Sequence, residues 1–139
     1  MAGTVIADNL QAASTSTLVI KNGVASTPPT IQDSAGTEIG TFCRAWVNFN
    51  GTGTVAIRAS FNVSSITDNG SGYYTANLNN ATPDANAAVI ALNGDGTPNT
   101  DRNQWTTGRM LDNLSAYISI YNDAGVAIDS DFISVAIFR

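Results

Sequence analysis

The chain contains no histidine, one lysine (Lys21), one glutamate (Glu38) and one cysteine (Cys43). Without histidine, neither a catalytic triad with an imidazole base nor an imidazole metal site can be built. A lone cysteine excludes a disulfide framework and a thiolate metal site, and Cys43, set between Phe42 and Arg44-Ala45-Trp46, reads as a buried small hydrophobe. Charged residues make up 12% of the 139 residues, about half the usual share of ~25%. One lysine and scattered arginines form no basic stripe, and a net charge of −5 repels phosphate and anionic lipid, which argues against nucleic-acid partners. No apolar run approaches the roughly 20 residues of a membrane span. The opening MAGTVIADNLQ has neither a basic nor an apolar leader region, so synthesis in a cytoplasm without membrane insertion is expected.

Neutral polar residues and alternating apolar ones fill the space that charge leaves. Between Val55 and Val63 the apolar residues recur at every second position, the pattern of a strand with one wet face. Phe42 to Phe49 is a second apolar segment, and Asn50-Gly51-Thr52-Gly53 between them supplies residues that tolerate positive φ, so the two read as a β-hairpin. Asp68-Asn69-Gly70-Ser71-Gly72 is another such turn, leading into Tyr73-Tyr74-Thr75-Ala76-Asn77-Leu78. Tyr73 and Tyr74 have opposite parity, so one belongs to a core and the other to a surface. Ala87 to Leu92 reads as a short buried strand. Asn93 to Met110, rich in Gly, Pro, Asn and Asp, reads as a long surface loop. Leu114–Tyr121 and Val126–Phe138, with a turn at Asn122 to Gly125, read as a C-terminal hairpin. No window carries a capped helical stripe. The expected fold is all-β, an antiparallel β-sandwich or jelly-roll-like domain over residues 42–139.

Residues 1–41 differ. Thr4–Leu10 and Thr17–Lys21 are short β-prone pieces, and Ser26-Thr27-Pro28-Pro29-Thr30 stiffens the chain into an extended connection. Such an N-terminal arm has little core of its own and gains most by adding its edges to a neighbour's sheet, for which a second copy of the chain is the economical candidate. Scarce lysine and glutamate also reduce the side-chain entropy lost when surfaces pack together, which favours an assembly protein.

The run Arg44-Ala45-Trp46-Val47-Asn48-Phe49-Asn50-Gly51-Thr52-Gly53-Thr54, followed by Asn62-Val63-Ser64-Ser65-Ile66-Thr67-Asp68-Asn69-Gly70, resembles a module of phage virion proteins. These are tail-fibre or minor structural proteins of phages of aquatic bacteria, cyanophages among them. The resemblance extends over Phe42 to Asn86, with Tyr73 where an acidic residue is usual, and the 93–109 segment lies outside it. It implies a non-enzymatic virion protein, a homotrimer displayed on the particle. A tail fibre for host attachment is the first reading and a capsid decoration or head-fibre protein the second. The arm would then dock on other tail or capsid proteins.

Candidate sites are few. Asp129 and Asp131, two residues apart, could in principle pair for glycoside hydrolysis in a polysaccharide depolymerase, but they read better as solvated groups of the last hairpin. Asn93-Gly94-Asp95-Gly96-Thr97-Pro98-Asn99-Thr100-Asp101 resembles a calcium loop but places Pro98 at the glycine position and Gln104 at the bidentate-glutamate position, so a solvated turn is expected. No catalytic, cofactor or metal residue is therefore assigned. Trp105 and Arg109, an aromatic and an arginine on an exposed loop, and Tyr73 are the candidate receptor or partner contacts, a host surface glycan among them. Trp46 and Phe49, of opposite parity, require either a bulge between them or one ring facing a partner subunit.

Overall fold

A computed structural model describes residues 20, 31–94 and 104–139. These residues form ten strands and no helix: β1 (Ile31–Gln32), β2 (Glu38–Gly40), β3 (Cys43–Asn50), β4 (Ala56–Phe61), β5 (Val63–Asp68), β6 (Tyr73–Leu78), β7 (Ala88–Gly94), β8 (Trp105–Met110), β9 (Ser115–Tyr121) and β10 (Phe132–Phe138). The pairings are all antiparallel. A first sheet runs β4-β3-β10-β7 and a second β5-β6-β9-β8, while β1 and β2 pair only with each other. Of the expected arm, only 20 and 31–41 fall among the described residues; β1 and β2 there are joined by a turn in which the Asp33 carboxylate accepts the N–H groups of Ala35 and Thr37. The strand expectations at Thr4–Leu10 and Thr17–Lys21 lie outside the described residues but for Ile20.

The β3–β4 and β5–β6 hairpins match the Asn50–Gly53 and Asp68–Gly72 turn chemistry. Three other expectations need correction. First, Val55–Val63 is not one strand. Asn62 adopts φ 57°, a left-handed conformation that asparagine tolerates, and at this point the chain leaves the first sheet for the second. Its side chain holds the step: Nδ2 donates to the carbonyls of Arg44 and Asn80, and Oδ1 accepts the Asn80 N–H at 2.8 Å. Phe61 consequently faces outward beside Trp46 while Val63 is buried. Second, β9 and β10 are not a hairpin. They lie in different sheets: the chain folds back on the end of β9 only through a single bridge, Tyr121 to Ala127, before crossing to the other sheet, where β10 sits between β3 and β7 while β9 sits between β6 and β8. Third, β7 is an edge strand, not a buried one: Ile90 and Leu92 point outward.

The inward faces of both four-stranded sheets share one core, built around Phe49, Ile133 and Ile137 of the first and Tyr74, Ile118 and Ile120 of the second. Burying each such side chain contributes about 1.5–3 kcal/mol. Against β10 the register of β3 is unbroken from Trp46 to Phe49, and the irregularity beside Asn48 and Phe49 leaves Arg58 of β4 unpaired; Phe49 is fully buried and Trp46 stands on the outer face. Tyr74 is likewise core and Tyr73 surface. Cys43 is only half-buried, its Sγ 3.2 Å from the Ala45 carbonyl, because it opens β3 at the margin of the sheet.

One end of the molecule is fastened through Tyr74. Its ring meets Phe49 edge-on at 5.3 Å, and its hydroxyl lies 2.9 Å from both the Gly51 carbonyl and the Asp129 carboxylate, sharing one proton between two acceptors. The same carboxylate oxygen accepts the Gly72 N–H at 2.7 Å, and Gly51 N–H donates to the Ser130 carbonyl at 2.9 Å. Asp129 is exposed, as expected, but it ties two turns together from outside the strands, since β10 begins only at Phe132. Glycine is required at both turns. A Cβ on Gly51 would come within 2.5 Å of the Tyr74 oxygen, and Gly72, at φ +75°, would press one to 2.7 Å from backbone atoms of Ile120 and Ile128.

Burial and the neighbouring Asp129 carboxylate both raise the Tyr74 phenol above its ordinary range. A phenol with a raised folded-state pKa adds stability that is complete below its unfolded value of about 10 and is lost as pH rises past it. Tyr74→Phe should therefore cost about 1–3 kcal/mol at neutral pH, because the buried Gly51 carbonyl loses its donor. In urea titrations its stability should also fall less steeply than the wild type's above pH 10.

Candidate functional site

Tyr73, Trp105 and Arg109, chosen separately from sequence, converge on the outer face of the second sheet. The long loop expected at 93–110 is shorter than its composition suggested: Trp105 and Arg109 belong to β8, in a hairpin with β9. The strand was hidden because its inward positions are Thr106, Gly108 and Met110, which give no apolar alternation. The first two have a physical reason. Thr106 donates its hydroxyl to the Asn93 side chain, whose amide in turn donates to Gln104. Gly108 has no room for more, since a Cβ there would lie 2.6 Å from Val89 of the opposite sheet. Of the calcium-like run, residues 95–103 lie outside the described residues.

Strand register aligns the outward residues. Tyr73 pairs with Ser119, Thr75 with Tyr117 and Asn77 with Ser115; across the other edge of β9, Trp105 pairs with Tyr121, Thr107 with Ser119 and Arg109 with Tyr117. The aromatic rings form a continuous ridge. Trp105 stacks on Tyr121 at 4.3 Å, Tyr121 meets Tyr73 edge-on at 5.9 Å, and Tyr73 stacks on Tyr117 at 6.1 Å. The Arg109 guanidinium closes the row 5.4 Å above Tyr117, within cation–π range. Tyr117 and Tyr121 were not singled out from sequence, yet Tyr117-Ile118-Ser119-Ile120-Tyr121 carries the signal: with Ile118 and Ile120 inward, both tyrosines must face out.

The remaining outward positions are hydroxyls and amides, already ordered by one another. Asn77 Nδ2 donates to Ser65 Oγ and Thr67 Oγ1, both at 3.0 Å; Asn69 Nδ2 donates to Thr75 Oγ1 at 2.9 Å; Thr107 and Ser119 hydroxyls are 2.6 Å apart. The Tyr73 phenol is hydrogen-bonded to that of Tyr121, which raises Tyr73 and lowers Tyr121 relative to a free phenol.

The outer face of the first sheet has a different chemistry. Trp46 pairs with Phe61, and Ala136 with both Trp46 and Ile90; Leu92 adjoins Ser134. Trp46, Phe61, Ile90 and Leu92 are 40%, 54%, 54% and 65% exposed. Trp46, Ile90, Leu92 and Ala136 line a shallow apolar groove, and the Arg58 guanidinium covers the exposed Phe132 ring at 4.1 Å. Among the described residues no three His, Cys, Asp or Glu side chains gather as metal ligands, and no helix is long and apolar enough to cross a membrane.

Tyr73→Phe should return Tyr121 upward toward an ordinary phenol pKa, read as a shift in the earliest step of an ultraviolet alkaline titration. Comparison of the chain with protein-family models, with curated proteins and with solved structures finds no match among any of them.

Proposed function

We propose that the protein is a non-enzymatic structural component of a bacteriophage particle, a fibre-type protein displayed on the surface for host attachment. In this reading it has a β-sandwich body at 42–139 and assembles as a homotrimer. The observation that carries it is the apolar outer face of the first sheet, to which the segment that resembles phage virion proteins contributes Trp46 and Phe61. Contiguous apolar surface of this kind is rare on monomers and typical of protein contact. Trp46, Phe61, Ile90 and Leu92 then form the seam between copies, and residues 1–41 fasten the assembly to its tail or capsid neighbours. The chain would be made in the bacterial host cytoplasm and reside in the virion.

Two measurements test this. Light scattering at micromolar concentration should give three times the chain mass, and Ile90→Lys with Leu92→Lys, both at already exposed positions, should shift it to the monomer mass. A monomeric wild type would remove the seam. Immunogold microscopy of the source particles, with an antibody to residues 42–139, should label tail appendages. Label on the head would replace the fibre with a decoration or head-fibre protein, and unlabelled particles would overturn the virion assignment.

A further inference from the structure

We infer that the outer face of the second sheet is a carbohydrate-binding platform, with Trp105 as its stacking surface, the Tyr121–Tyr73–Tyr117 ridge bracing it and Arg109 at the far end. The inference deepens the attachment reading and rests on it for its biological setting, although the site itself is a property of the isolated protein.

Three features of the face select a sugar. A pyranose presents C–H groups bearing partial positive charge on one side and hydroxyls around its rim. The first complements an aromatic face, whose quadrupole is negative there; the second requires donors and acceptors held nearby. Here the indole of Trp105 sits on edge strand β8, with one ring face against Tyr121 and the residue about half exposed. The flanking positions Thr107, Thr75, Asn77, Ser65 and Thr67 offer hydroxyls and amides already fixed by hydrogen bonds, that of Thr107 by the buried Ser119 hydroxyl. Rings and hydroxyls standing on paired strands lose little freedom when a ligand settles, which leaves more of the contact energy for binding.

The face also suits a sugar better than a protein neighbour. Its outward strand positions carry no aliphatic side chain, in contrast to Ile90 and Leu92 on the opposite sheet, so a protein partner would have to bury the polar rows against its own apolar core. Charge narrows the ligand further. Arg109 is the charged residue of this face, with no carboxylate among its outward strand positions, so it can accept a carboxylate or sulfate substituent of an acidic glycan beside Tyr117.

Affinity electrophoresis of the purified full chain tests the site, using gels cast with dextran, soluble starch, galactomannan, alginate or carrageenan. At least one should retard the wild type. Trp105→Ala should weaken that retardation by about tenfold or more, the ratio that corresponds to 1.4 kcal/mol. Trp105→Phe should restore part of it, and circular dichroism should report an unchanged fold. Arg109→Ala should lose retardation selectively in the alginate or carrageenan gels. Absence of retardation in every gel would overturn the proposal, as would retardation that survives both Trp105→Ala and a separate Tyr73→Ala. If Trp105→Ala instead lowers the mass seen by light scattering, the face is a contact between copies. Because no particle enters this experiment, its failure leaves the virion assignment to the microscopy, and an unlabelled virion leaves the sugar site standing.

Discussion

Everything at one end of this molecule is held by the Tyr74 hydroxyl. Its ring belongs to the core of the second sheet, yet its oxygen reaches the Gly51 carbonyl in the turn of the first sheet and the Asp129 carboxylate on the crossing between them. Each sheet alone would expose its apolar face. The phenol fixes how far apart and in what lateral alignment those faces meet, because a hydrogen bond tolerates only a few tenths of an ångström where hydrophobic contact is indifferent to sliding. Asp129 extends the tie by accepting Gly72 N–H as well, and Gly51 N–H and the Ser130 carbonyl complete the closure.

That closure explains why both outer faces are free for other work. Core and turns are satisfied internally, by Phe49, Ile118, Ile133 and their neighbours on one hand and by backbone and Asp129 on the other. The exposed residues are therefore under no obligation to the fold. On the first sheet they are Trp46, Phe61, Ile90 and Leu92; on the second they are tyrosines, Trp105, threonines and serines. A dry surface and a wet aromatic one on opposite sides of the same core suit attachment to a like subunit and to a ligand, respectively.

Asn62 keeps the two chemistries apart. By turning the chain through φ 57° between β4 and β5, it ends the run of outward residues that includes Ala59 and Phe61 on one sheet and starts the polar row of Ser65 and Thr67 on the other. Had the chain continued straight from Val55 to Val63, the alternation would have extended one sheet and left the other an edge strand short.

The all-β class, the turns at Asn50–Gly53 and Asp68–Gly72, and the division of Tyr73 and Tyr74 between surface and core were legible from the sequence, because strand parity and positive-φ turn residues act locally. The strand character of Trp105–Met110 was not, since Thr106 and Gly108 face inward for reasons that lie in Asn93 and Val89, 13 and 19 residues away in the chain. Nor was the parting of β9 and β10 into separate sheets: a Gly-containing turn between apolar runs specifies reversal, and only competition among all eight strands of the two sheets for neighbours decides which partner each takes. The convergence of Tyr73, Trp105 and Arg109 is of the same kind. Sequence offered each as an exposed aromatic or arginine, whereas the pairing of β6 and β8 with opposite edges of β9 set them in one row with Tyr117 and Tyr121.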